Sequence, residues 1–98
     1  MQNWYTKSVE DLCEAILSLK TKEECCAFLE DICTIKEIQD ISQRLQVARM
    51  LSQGISYTTV CKETGASTAT ISRVKRCYDY GPGGYKTVIT RLKEKNDA

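Results

Sequence analysis

Three groups of side chains in this 98-residue chain could do chemistry. They are six cysteines, a glycine-rich stretch leading to Lys86 and Thr87, and a run of hydroxyls and arginines at residues 67–76. Histidine, the commonest general base, is absent. Cys13, Cys25, Cys26, Cys33, Cys61 and Cys77 contain no Cys-x-x-Cys pair, on which a structural zinc site usually rests. A cysteine nucleophile needs an activating partner, and no partner can be named. Glu23, Glu24, Glu30 and Asp31 read as solvated helix faces. No catalytic residue, metal or cofactor is therefore expected. The cysteines read as small buried hydrophobes on apolar helix faces of a reduced, cytoplasmic protein. Gly83-Gly84-Tyr85-Lys86-Thr87 superficially matches a phosphate-binding loop, but Tyr85 separates the lysine from the glycine and no strand precedes it. A hinge and an aromatic anchor against the core are the expected roles there.

The third group falls on a helix-turn-helix pattern, two short helices joined by a tight turn that contains glycine. Val60 and Cys61 face inward from the first helix, Ala66 sits in the turn, and Ile71 and Val74 face inward from the second. The small Cys61 permits close approach of the helices, and Gly65 supplies the turn backbone. Ser67, Thr68, Ala69, Ser72, Arg73 and Arg76 are then left pointing outward. Short residues at the leading end let a helix enter the major groove, where hydroxyls and N–H groups bond phosphates or base edges. Arg73, Lys75 and Arg76 supply attraction to the phosphate backbone. With Thr58 and Thr70 these residues form the candidate DNA-contact set. Ser67 has a simpler role as well, as a helix cap.

The elements that must position this set are helical throughout. Ser8 reads as the cap of a first helix over 9–19, with Val9, Leu12, Cys13, Ile16 and Leu17 on one side. Thr21 with Glu24, and Thr34 with Glu37, read as capping boxes for a second and a third helix. The second carries a stripe of Cys25, Phe28, Leu29 and Ile32. The third, longer helix carries Ile35, Ile38, Ile41, Leu45 and Ala48, widened by Val47, Met50 and Leu51, and stops at Gly54. Apolar residues on more than one side mark a helix buried by more than one neighbour, at a bundle centre or a dimer interface. Ser56 caps the first helix of the motif, and Ser67 caps the second, which runs to about Cys77. Residues 78–85 read as the one clear loop. A short last helix spans 86–94 and carries Val88, Ile89 and Leu92, followed by a frayed polar tail at 94–98. Trp4 and Tyr5 read as an N-terminal anchor.

The length fits one domain. Its parts are N-terminal dimerisation helices at 1–33, the central helix at 34–54, the helix-turn-helix at 56–77, and a loop with the last helix at 78–98. A chain this short buries only roughly 60–70% of its unfolded surface, so dimerisation would extend a thin core. No stretch approaches the length of a membrane span, and no secretion signal is visible at the start. The net charge of +1 hides an asymmetry. Residues 1–53 carry six basic and nine acidic side chains, a net of −3, and residues 54–98 carry eight and four, a net of +4. Positive charge gathered in one part suits a polyanion.

The run from Gln43-Arg44-Leu45 to Leu51, then Gly54, then Thr64-Gly65-Ala66-Ser67-Thr68-Ala69-Thr70-Ile71-Ser72-Arg73, resembles the heart of the Trp repressor family. The likeness covers about residues 34–77, and Ala69-Thr70-Ile71-Ser72-Arg73 is its most specific part. The Tyr80-Gly81-Pro82-Gly83-Gly84-Tyr85 stretch is similar to the YerC/YecD-like branch. The resemblance implies an all-α fold of about six short helices and an intertwined homodimer in which the first helices of one subunit wrap the other. It also implies a transcription regulator that binds a two-fold site on double-stranded DNA. In Trp repressors two arginines sandwich the tryptophan indole and a threonine helps hold it. The resemblance places Arg44, Arg73 and Thr34 at those positions. Val74 stands where the family has a glycine that makes room for the ring, and Cys77 replaces a serine that helps bind the amino group. A site deprived of its polar partner loses affinity for a charged amine, so no response to tryptophan is expected. A small-molecule corepressor is allowed but not indicated.

Two other classes compete with a dimeric regulator. A transposase DNA-targeting module shares this motif, but the chain carries no zipper-like heptads. A helical protein-interaction module would use the turn as architecture only, and it need not bind DNA.

Overall fold

Hydroxyl side chains open five of the helices in the same way, each accepting the backbone N–H three residues on. Thr6 accepts from Val9 at 3.3 Å, Thr21 from Glu24 at 3.1 Å, Thr34 from Glu37 at 3.1 Å, Ser56 from Thr59 at 3.3 Å and Ser67 from Thr70 at 3.1 Å. Each bond satisfies an amide that the helix itself leaves free. The computed structural model describes residues 3–97 and shows six helices and no strand among them. They are α1 (Lys7–Leu17), α2 (Lys22–Ile32), α3 (Ile35–Ser52), α4 (Tyr57–Thr64), α5 (Thr68–Tyr80) and α6 (Gly84–Asp97).

Several boundaries differ from those expected. The first cap is Thr6, not Ser8, so α1 starts two residues early and ends at Leu17. The reason is local: the Thr6 hydroxyl takes the Val9 N–H, which leaves Ser8 inside the first turn. At Thr34 the capping box is reciprocal, the Thr34 N–H donating to Glu37 Oε1 at 2.8 Å. At α2 the Glu24 carboxylate reaches one residue further back, to the Lys20 N–H at 2.8 Å. The fifth helix continues past Cys77 to Tyr80, supported by a Lys75–Asp79 pair at 3.1 Å, one helical turn apart. The expected loop therefore shrinks to residues 81–83. The last helix begins at Gly84 and runs through the stretch expected to fray, as far as Asp97, with Lys95 placed favourably in its final turn. Ala98 lies outside the described residues.

The chain divides into two compact units that meet in sequence after Ile38. In the first, α1 and α2 bury no residue, although both carry apolar stripes. Leu12, Ile16, Leu17, Leu29, Ile32 and, at the start of α3, Ile35 are exposed. Trp4 is not an anchor within the chain. Its ring meets Tyr5 edge-on at 5.7 Å and stays 64% exposed.

The second unit holds the core. Val47, Ala48 and Met50 of α3, Val60 of α4, Ala66 of the turn, and Ile71 and Val74 of α5 are buried together. Leu51, Ile55, Cys61, Tyr85 and Ile89 pack around them, so Tyr85 is the expected aromatic anchor. Each fully buried branched side chain here contributes roughly 1.5–3 kcal/mol over leaving it in water. α3 reaches the core only through its second half, since Ile35 and Ile41 are exposed. It ends in two turn bonds, Gly54 N–H to Leu51 O at 3.0 Å and Ile55 N–H to Met50 O at 3.2 Å, with Gly54 at φ +78°. The cysteines depart from the buried reading. All six are free thiols; Cys13, Cys25, Cys26 and Cys77 are exposed, and Cys33 and Cys61 are half-buried. The apolar stripes of α1 and α2 that carry Cys13 and Cys25 stay uncovered, and so do the thiols on them.

Candidate nucleic-acid interface

The candidate interface is built on the turn between α4 and α5. Gly65 ends α4 at φ +74°, its N–H bonded to Cys61 O at 2.9 Å. No atom lies within 4 Å of where a Cβ would sit, so the backbone conformation, not crowding, demands glycine. Thr64 secures the turn from both sides. Its hydroxyl donates to Val60 O at 2.7 Å and accepts from the Ala66 N–H at 3.1 Å. Gln43 of α3 adds a bond that no pattern in the sequence announces, its side-chain amide donating to Thr64 O at 3.1 Å. The motif is thereby tied to the central helix across 21 residues of sequence.

Val60, Ala66, Ile71 and Val74 are buried as expected, and Cys61 is half-buried. With Ile71 and Val74 held inside, the opposite face of α5 is open. Ser67, Thr68, Ala69, Ser72, Arg73 and Arg76 are all exposed, as is Thr58 on α4. No acidic side chain lies in the first turn of α5, so nothing there offsets the positive end of the helix dipole.

The set is not uniform. Ser67 is committed to its cap and also donates to the Thr70 hydroxyl at 3.1 Å. Thr70 is half-buried and keeps its own hydroxyl hydrogen to give. Lys75 is half-buried, pairs with Asp79 and stands 6.0 Å from the centre of the Tyr78 ring, over which Lys86 also lies at 5.4 Å. Lys86 thus caps an aromatic face and makes no phosphate loop. Thr68, Ala69, Ser72, Arg73 and Arg76 remain as the unencumbered face, short at its leading end and cationic one turn later.

Of the three residues singled out for a ligand, only Arg44 lines a cavity. Thr34 belongs to the N-terminal unit, with its hydroxyl and amide both used by the capping box. Arg44 borders a space of about 550 Å³ together with Ile41, Leu45, Cys77, Pro82, Gly84, Tyr85 and Val88. Arg73 is exposed and is not part of that lining. Val74, 1% exposed, fills core space. The cavity wall depends on Gly81, whose N–H bonds Cys77 O at 2.8 Å; a Cβ there would overlap that carbonyl. No group of three or more metal-ligating side chains occurs among the described residues.

Residues 7–93 match the family model described as Trp repressor protein. The chain is 56% identical over 88 residues to the uncharacterized protein YerC of Bacillus subtilis (strain 168), covering 90% of this chain and 85% of that one. Among solved structures, a candidate Trp repressor from Staphylococcus aureus superposes with a TM-score of 0.90 at 47% identity, covering 95% of each chain. A TrpR-like protein from Eubacterium eligens ATCC 27750 gives a TM-score of 0.87 at 52% identity, covering 90% of this chain and 91% of the other. A match spanning nearly the whole chain, on a fold whose core carries the same helix-turn-helix, places this chain in the Trp repressor family.

Proposed function

We propose that this protein is a sequence-specific transcription regulator, a repressor, that binds double-stranded DNA as a homodimer with the leading end of α5 in the major groove. The observation that carries this reading is the split of α5. Ile71 and Val74 are sealed in the core while Thr68, Ala69, Ser72, Arg73 and Arg76 stand free on the other side. Thr68, Ala69 and Ser72 reach base edges, and Arg73 and Arg76 bind phosphates. Thr58 supplies a contact from α4, and Ser67 holds the helix end open to the groove.

The homodimer is supported by α1 and α2, which are well capped yet bury nothing of their own chain. Contiguous apolar surface of that kind marks an interface. A two-fold pair would present two copies of α5 about 34 Å apart, one turn of DNA. Regulation proceeds without tryptophan, because Val74 occupies the room an indole ring would need and Cys77 offers no hydroxyl to an amino group. No enzymatic step is assigned, in keeping with a family of regulators.

Genome-wide recovery of bound DNA tests this, with Thr68→Glu plus Arg76→Glu as the control. The parent should enrich a two-fold sequence, and the double variant should lose it while keeping its helicity. Equal enrichment by the double variant would show that α5 is not the reading helix. No enrichment by the parent would favour a protein-interaction module.

A further inference from the structure

We propose that Trp4 of one copy seats its indole in the Arg44 cavity of a second copy. This rests on the homodimer reading above and adds to it a residue contributed in trans. The cavity, about 550 Å³, is walled by aliphatic and aromatic carbon, and Arg44 is the one charged residue in its lining. Arg44 is half-buried and has no ion-pair or hydrogen-bond partner among the described residues. A polar metabolite would find few partners there and would leave its own groups unsatisfied. The occupant that fits is a flat apolar ring that can meet a cation with its face. Indole is the best such ring for a guanidinium, and Pro82 and Tyr85 add apolar wall for it to lie against.

Trp4 is the chain's single tryptophan, and it lacks a home in its own chain. It touches Tyr5 edge-on and remains 64% exposed, although an aromatic side chain of this kind buries about 150–250 Å² when seated. Charge favours a meeting between copies. The unit that carries Trp4, residues 1–38, has four basic and eight acidic side chains, a net of −4. The unit that carries the cavity has ten basic and five acidic, a net of +5. Opposite fields on the two units steer the N-terminal part of one copy onto the cavity-bearing part of another.

Because Trp4 is the only indole, intrinsic fluorescence of the full chain reports on it alone. Acrylamide quenching is measured alongside sedimentation, which gives the oligomeric state. The dimer should show blue-shifted emission and quenching severalfold weaker than the denatured chain. Val88→Arg, at an exposed position on the cavity wall, should restore quenching with the dimer intact, and Arg44→Gln should do so in part. Mixing Val88→Arg with Trp4→Phe should recover protection, since the one remaining indole then faces an intact cavity on the other copy. A dimer whose Trp4 is freely quenched, or whose protection ignores Val88→Arg, would overturn the inference and leave the homodimer standing. Protection that mixing fails to recover would also overturn it, by placing the indole within its own chain. A monomer at all concentrations would overturn both readings.

Discussion

Helices α1 and α2 start on threonine caps as well made as the serine caps of α4 and α5, yet neither buries a residue. The helix-turn-helix unit, by contrast, closes over Val47, Val60, Ile71 and Val74. The difference separates two things that a sequence specifies. Capping is local and completes itself within four residues. Burial needs a facing surface, and on the homodimer reading that surface belongs to another molecule. The reading part of the protein is thus autonomous, and the assembling part is not.

The largest effect expected from this contrast comes from the core. Ile71→Ala should cost about 2–5 kcal/mol. In urea unfolding the same loss should appear at every protein concentration. Ile16→Ala, at a half-exposed position on α1, should instead weaken the dimer and leave the diluted chain nearly as stable as before. If both behaved alike, the division into autonomous and dependent parts would be wrong.

Next in size is Gly65→Ala. The left-handed backbone makes it cost roughly 1–2 kcal/mol even though open space surrounds the site. Thermal melts should show the loss, and DNA affinity should fall with it, because the turn sets the angle of α5. Thr34→Ala should cost about 1 kcal/mol by removing a capping box. Hydrogen exchange at Glu37 and its neighbours should quicken while the amides of α5 stay protected. The smallest effect belongs to Lys7→Ala. Its 2.8 Å pair with Asp11 is solvent-exposed, and its loss should shift stability by no more than about 0.5 kcal/mol and vanish at high salt.

Much of this arrangement is legible in the residues themselves. Thr21, Thr34, Ser56 and Ser67 are followed by helical patterns, and the motif's spacing of Val60, Ala66, Ile71 and Val74 states its own core. What escapes has physical causes. Thr6 and Ser8 are both able caps two residues apart, and only the geometry at Val9 decides between them. Tyr78, Asp79 and Tyr80 show no apolar period, and the glycines around Pro82 mask a helix that runs on to Tyr80 and another that starts at Gly84. The Gln43–Thr64 bond joins residues far apart in sequence and has no pattern to betray it. The cysteine stripes mislead because an apolar face announces burial without saying which chain provides it. In the candidate site, the outward face of α5 is readable from its register. The engagement of Lys75 with Asp79 and of Ser67 with Thr70 is not, because neighbouring side chains choose each other.

A dimeric regulator of this kind needs the arginines of α5 to meet DNA phosphates from both of its halves. The most direct measurement is the dependence of operator affinity on salt, for the parent and for Arg76→Gln. Each phosphate neutralised adds about 0.9 to the steepness of log affinity against log salt. Arg76→Gln removes one cation from each subunit, so the slope should flatten by about 2. An unchanged slope, or affinity indifferent to salt, would contradict it.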